Sequence, residues 1–324
     1  MDEIETIRRP VIAEYQRFSD DFLNSLSSST LKLQSAIEKI MQSTGKRVRP
    51  LLVLLSAKAC GELSDQTINS AILLELLHTA SLVHDDVIDE TKERRGLPSL
   101  NVFFDNRISV LVGDFLLSSA LIRSVQTGNI RIMSIVSELG KSLAEGEIRQ
   151  LEVAEEGILD EKSYLQVIRN KTAMLLSACA EIGAISAGAT NEQISYCRLF
   201  GEFLGYCFQI KDDVFDYFAD QQIGKPTGND IIEGKVSLPL LYALRCKHDK
   251  NSLYYRQIVE RKDFTPQNIS DLIAFAKASG GIEYAVSRMK EYHDKAVEII
   301  NKLPDSESRR SLLLLADYVV DRKY

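Results

Sequence analysis

No proline occurs between Pro98 and Pro226. A tract of that length, rich in Ala, Leu, Glu and Ile, can run as long helices because nothing in it breaks the backbone hydrogen-bond ladder. Strand-type alternation bounded by paired turn residues is scarce in the rest of the chain. Helical periodicity predicts helices over about 6–25, 31–42, 48–60, 65–91, 105–125, 128–156, 160–189, 192–220, 235–247, 266–279, 281–302 and 305–321. Turn chemistry such as CGEL, RRGLPS, QTGN, EEGILD and IGKPTGND separates them. With no low-complexity linker and no shift in composition, residues 1–324 are expected to form a single all-helical domain of the all-α class.

Hydrophobic residues make up 45% of the chain, enough for an extensive core. The net charge of −7 speaks against a nucleic-acid binder, so an anionic ligand must be caught by a local basic patch. Five cysteines, Cys60, Cys179, Cys197, Cys207 and Cys246, show neither metal-type nor disulfide-type spacing and read as reduced residues of a cytoplasmic protein. The start, MDEIETIRRP, lacks the apolar run of a signal peptide, and no 18 consecutive residues are apolar. At most a peripheral membrane contact is expected.

Two acidic clusters stand in apolar surroundings: LVHDDVIDE at 82–90, with Asp85, Asp86 and Asp89, and QIKDDVFDY at 209–217, with Asp212, Asp213 and Asp216. Unpaired carboxylates in such a setting are costly unless a cation or a basic group accompanies them. Asp85 and Asp89 are four apart, as are Asp212 and Asp216, a spacing that puts both carboxylates on one helical face. One isolated pair is an ordinary solvated face, whereas two copies among Leu82, Val83, Ile210 and Val214 point to a shared metal site. All the donors are hard oxygens, which suits magnesium completed by substrate phosphates and disfavours zinc.

Cations for a polyphosphate are present. TGKRVRP at 44–50 carries Lys46, Arg47 and Arg49; KERRG at 92–96 carries Arg94 and Arg95. Arginine forks match phosphate oxygens, and lysine adds a compact charge. The stretch IGKPTGNDIIEGK at 223–235 bears Lys225 and Lys235 but fits neither the P-loop nor the dinucleotide fingerprint.

With these motifs in this order, the chain resembles the all-trans polyprenyl diphosphate synthases, from about residue 40 to residue 245 and more weakly beyond. HDDVIDETKERRG is similar to the family's first aspartate-rich motif, and FQIKDDVFDY with GKPTGNDIIEGK to its second. The resemblance implies the isoprenoid synthase fold, a large helical bundle around a central cavity, and a prenyltransferase activity. It implies that Asp85, Asp89, Asp212 and Asp216 hold two or three magnesium ions, with Asp86 and Asp213 assisting. Lys46, Arg49, His78 and Arg95 would bind isopentenyl diphosphate. Arg94, Lys171, Thr172, Gln209, Lys225 and Lys235 would bind the allylic diphosphate, farnesyl or geranylgeranyl. The implied catalytic set is Asp85, Asp89, Lys171, Asp212, Lys225 and Lys235, and a homodimer is expected. Thr44 departs from the second glycine the family often has before Gly45-Lys46-Arg47.

Ala80 and Ser81 stand about one helical turn before Asp85, at the positions where family members with short products carry a bulky aromatic. Both are small, and no two-residue insertion splits the first motif. A long product is therefore expected, octaprenyl in particular, serving isoprenoid quinone biosynthesis. A geranylgeranyl product and an inactive subunit of a heteromeric synthase are the alternatives. A terpene cyclase would replace the second aspartate cluster by an Asn, Ser or Thr, and Glu pattern, and would lack Lys46, Arg49 and His78.

Overall fold

The computed structural model describes residues 3–42, 45–94, 96–157, 159–218, 227–245 and 251–322. Thr44, Arg95, Lys225 and Cys246 lie outside the described residues. The helices are α1 (Glu3–Arg8), α2 (Ile12–Asn24), α3 (Leu31–Gln42), α4 (Val48–Cys60), α5 (Asp65–Ile88), α6 (Leu100–Phe104), α7 (Asn106–Gln126), α8 (Ile130–Glu156), α9 (Glu161–Ile168), α10 (Met174–Ser186), α11 (Asn191–Phe215), α12 (Asn229–Ile232), α13 (Leu238–Arg245), α14 (Ser252–Glu260), α15 (Pro266–Ala278), α16 (Gly281–Ile300) and α17 (Glu307–Asp321). The all-α expectation holds. The β structure among the described residues is one hairpin, β1 (Glu93–Arg94) and β2 (Leu97–Pro98), with Arg94 opposite Leu97. Gly96 supplies the positive φ of +74° that this turn requires.

Several boundaries differ from the periodicity. The helix expected over 6–25 is broken at Arg9–Val11 into a 3₁₀ turn, where Pro10 cannot donate to the ladder. The helix expected over 160–189 contains a π turn, Arg169–Ala173, between α9 and α10. The helix expected to reach 220 ends at Phe215. Helices α6, α12 and α14 were not anticipated; α6 and α12 are too short for a period, and α14 buries only Ser252, Ile258 and Val259.

Contacts among the residues group the chain into two compact units. One comprises Met1–Gly140, Leu175–Gly201 and Ile299–Leu315; the other comprises Lys141–Met174, Glu202–Glu298 and Ala316–Tyr324.

In the first unit, Leu51, Leu52, Val53, Leu54 and Leu55 of α4 are all fully buried, so this helix is surrounded on every side. Each such leucine contributes roughly 1.5–3 kcal/mol of transfer free energy. Gly183 of α10 lets that helix approach α4, since a Cβ there would stand 2.4 Å from the Val53 carbonyl oxygen. Helix α5 packs most extensively on α7, which buries Ser109, Val112, Gly113, Leu116, Ala120 and Ser124 at helical spacing. Gly113 leaves room for the His84 ring, whose Nε2 would lie 2.2 Å from a Cβ at that position.

Among the described residues, α7 is also the one helix long and apolar enough, by composition, to cross a membrane. Its buried stripe marks it as a core helix on one side. The opposite side is apolar too, with Leu111, Leu121, Ile122 and Val125 exposed.

In the second unit, Tyr217, Leu240, Ala243, Leu272, Phe275 and Ala276 form the centre of a core drawn from the turn after α11 and from α13 and α15.

Candidate active site

Both aspartate clusters sit where a helix ends. Asp89 caps α5, its backbone N–H donating to the Asp85 carbonyl at 2.8 Å. Asp216 follows α11, its N–H donating to the Asp212 carbonyl at 3.3 Å. The i, i+4 relation read from sequence is thus kept by one last backbone bond in each cluster. A helix C-terminus carries partial negative charge, so a carboxylate there is disfavoured by roughly 0.3–1 kcal/mol and gains from a cation. Asp85, Asp89, Asp212 and Asp216 are all half-exposed and therefore reachable.

The middle aspartate of each cluster is buried and engaged. Asp86 accepts from Arg94 through Nη2 at 2.7 Å and Nε at 2.8 Å. Asp213 accepts from the Tyr164 hydroxyl at 2.6 Å and from Gln209 Nε2 at 2.8 Å. Burial pushes the Asp213 carboxyl up to about 7, partly opposed by those two hydrogen bonds. Dehydration, with the Asp213 and Asp216 charges added, also pushes Asp230 well above the carboxylate range.

In the first unit a cavity of about 90 Å³ gathers Arg47, Arg49, His78, Asp86 and Arg94. Arg49, His78 and Arg94 are therefore brought together. Lys46 is exposed and does not line the cavity, although its neighbours Gly45 and Arg47 do. Arg47 takes the left-handed conformation (φ 48°) at the start of α4, with its guanidinium 5.1 Å from the Phe22 ring centre. A non-glycine residue held there stores on the order of 1 kcal/mol, as functional turns often do. Lys39 and Glu75 also line this cavity, and the sequence reading assigned them nothing.

In the second unit a cavity of about 180 Å³ is lined by Lys171, Thr172, Gln209, Asp213 and Lys235. Lys171 and Thr172 stand on the π turn, a local widening that commonly marks functional positions. Two glycines make room for it. A Cβ on Gly146 would lie 2.8 Å from Asn170 Cβ, and one on Gly205 would lie 2.4 Å from Ala173 Cα. The Thr172 hydroxyl donates to Gln209 Oε1 at 2.7 Å, so Thr172, Gln209, Asp213 and Tyr164 form one chain of hydrogen bonds. Lys171 is paired with Glu147 at 2.7 Å, and Lys235 with Glu233. The Asp216 carboxylate accepts the backbone N–H groups of Asn229 at 3.0 Å and Asp230 at 3.2 Å, fixing the segment that leads to Lys235.

Arg95 and Lys225, assigned from the resemblance, lie outside the described residues. Glu147, Tyr164, Asp230 and Arg322 were missed, because their pairings with Lys171, Asp213, Asp216 and Asp212 span 14 to 110 positions and leave no local signal. Ala80 is buried and Ser81 half-buried, its hydroxyl donating to the His78 carbonyl at 2.9 Å.

The sequence model of the polyprenyl synthetase family matches residues 30–275. The chain belongs to the polyprenyl synthetase family. An octaprenyl diphosphate synthase of Haemophilus influenzae is 37% identical over 325 residues, covering 100% of this chain and 98% of its own. A polyprenyl synthase from Caulobacter crescentus, solved in complex with calcium and isoprenyl diphosphate, superposes with a TM-score of 0.93 at 31% identity, covering 99% of this chain and 98% of that one. A geranylgeranyl pyrophosphate synthase from Bacteroides thetaiotaomicron gives a TM-score of 0.87 at 42% identity, covering 99% and 100%. This polyprenyl synthetase is accordingly a prenyl-transferring enzyme.

Its carboxylates fit a hard divalent cation of modest protein coordination. Among the described residues, no three or more His, Cys, Asp or Glu side chains form a preassembled metal cage. An all-oxygen donor set of paired aspartates, without a cage, is the arrangement in which magnesium retains waters and takes substrate phosphates.

Proposed function

We propose that this polyprenyl synthetase condenses isopentenyl diphosphate with an allylic diphosphate, farnesyl or geranylgeranyl, and releases a long all-trans polyprenyl diphosphate. The product assigned is octaprenyl diphosphate, destined for isoprenoid quinone synthesis. The observation that carries this reading is the placement of two aspartate clusters at helix C-termini, each beside a cavity lined with cations.

Asp85 with Asp89, and Asp212 with Asp216, would hold magnesium. Bound magnesium supplies charge neutralisation for the leaving diphosphate, favouring ionisation of the allylic C–O bond. Arg49 and His78, with Lys46 and Arg95, would orient isopentenyl diphosphate; Arg94 would remain the partner of Asp86 until phosphate competes for its fork. Lys171, Thr172, Gln209, Lys225 and Lys235 would bind the allylic diphosphate, Lys171 exchanging Glu147 for a phosphate oxygen. Leu82 and Val83 line the first cavity and exclude water that would quench a carbocation.

A long product is supported by small residues at Ala80 and Ser81. A geranylgeranyl product is the second reading, favoured by the 42% identity to the Bacteroides synthase. The exposed apolar face of α7 supports a homodimer formed through that face. Unpaired thiols at Cys60, Cys179, Cys197 and Cys207 support a cytoplasmic location.

The deciding experiment supplies purified protein with magnesium, labelled isopentenyl diphosphate and farnesyl diphosphate, and resolves the dephosphorylated products by length. A ladder ending at eight isoprene units is expected. Termination at geranylgeranyl selects the second reading, and absence of magnesium-dependent incorporation with any allylic primer rejects the function.

A further inference from the structure

Arg322 directly follows α17, its backbone N–H donating to the Tyr318 carbonyl at 3.0 Å. Its side chain is only 11% exposed. Nη2 donates to Asp212 Oδ1 at 2.5 Å and to the Phe208 carbonyl at 3.0 Å. The guanidinium carbon lies 4.1 Å from the Phe208 ring centre and 5.6 Å from that of Phe215. Arg322 has thus been given a built seat, with a flat aromatic wall, a carbonyl and one carboxylate of the second cluster.

We propose that Arg322 is a resident counter-cation of that cluster, holding Asp212 until a divalent cation displaces it. The inference rests on the reading of Asp212 as a metal ligand. Asp212, Asp213 and Asp216 crowd the end of α11, where the helix dipole adds further negative charge. A weakly hydrated, planar guanidinium relieves that crowding at low desolvation cost and stacks on the adjacent rings. It reaches only one of the two outer carboxylates, because the Asp216 carboxylate accepts from Asn229 and Asp230 instead. A divalent ion carries twice the charge and can take Asp212 and Asp216 together. The two cations repel at that range, so they exclude one another rather than add. Arg322 thereby sets the cation concentration at which the second cluster loads.

The opposite physical outcome is also well defined. If Arg322 served only to orient Asp212 for the metal, its removal would weaken metal binding. Manganese is the probe, its binding to the full-length protein followed by electron paramagnetic resonance without substrate. R322Q is expected to bind several-fold more tightly than the wild type at the Asp212-dependent site, and R322K to fall between them. Equal or weaker binding by R322Q overturns the inference. If D212N leaves manganese binding unchanged, the metal-ligand reading of Asp212 falls and the inference with it. A measurement on the wild type guards against misfolding of the variants: phenylglyoxal labelling of Arg322, read by mass spectrometry, should accelerate when manganese is added. Unchanged or slower labelling overturns the displacement.

Discussion

The Tyr164 hydroxyl donates to Asp213 Oδ2 at 2.6 Å, joining a residue of α9 to the middle aspartate of the second cluster. Asp213 is not free to act as an independent ligand, because Gln209 holds its other oxygen. The pair orients the backbone from which Asp212 and Asp216 project. Replacing Tyr164 by Phe leaves a buried carboxylate oxygen without its donor, at a cost of about 1–3 kcal/mol. Urea unfolding should show that loss. Steady-state kinetics should show kcat falling at saturating magnesium. A Y164F enzyme with unaltered stability and kcat would refute the positioning role.

Gly205 meets the π turn so closely that a methyl group would strike backbone. A Cβ there would stand 2.4 Å from Ala173 Cα. G205A should be destabilised by about 1–3 kcal/mol, the usual range for overpacking. It should also raise KM for the allylic diphosphate, since Lys171 and Thr172 ride on that turn. Calorimetry combined with allylic-substrate titration tests both halves of the expectation.

Ser81 is half-buried about 6 Å along the axis of α5 from Asp85, counting four residues of rise. S81F should shorten the longest product while leaving the first condensation intact. Product-length analysis with a short allylic primer reads this directly; an unchanged ladder would place the limit on another helix.

The outward stripe of α7 carries Ile122 at 59% and Val125 at 62% exposure. Charges introduced there should prevent two copies from associating. The I122E/V125E variant is expected to run at the mass of one chain in light scattering, with the wild type at twice that mass. Equal masses would show that another surface, or none, pairs the chains.

Glu181 on α10 is pushed above its ordinary range by burial, with Arg198 and Arg131 partly opposing the shift. Arg131 Nη2 is 3.9 Å from its carboxylate, too far to offset the dehydration fully. The folded protein therefore holds this proton more tightly than the unfolded chain. Stability from this group is present below the unfolded pKa of 4.5 and is lost as pH rises through the folded value. E181Q should gain on the wild type as pH rises from 4 to 8. A stability difference that is flat, or that falls with pH, would mean that the arginine pairing dominates.

Much of this protein is determined by its sequence alone. The proline-free tract and the 3.6-residue periodicity place α7, α8 and α15 to within about two residues, because those helices bury apolar stripes whose period survives in the linear chain. The acidic clusters and the basic turn are equally legible, since each is local. Tertiary structure decided the rest. It ended α5 and α11 at the aspartates, placing two acidic pairs at helix C-termini. It opened a π turn at Arg169–Ala173, possible only where Gly146 and Gly205 carry no side chain against it. It brought Tyr164 to Asp213 and Arg322 to Asp212, across 49 and 110 positions. A lone tyrosine or a lone arginine has no periodicity to betray its partner, because a buried pairing is fixed by where distant helices meet rather than by its neighbours in sequence.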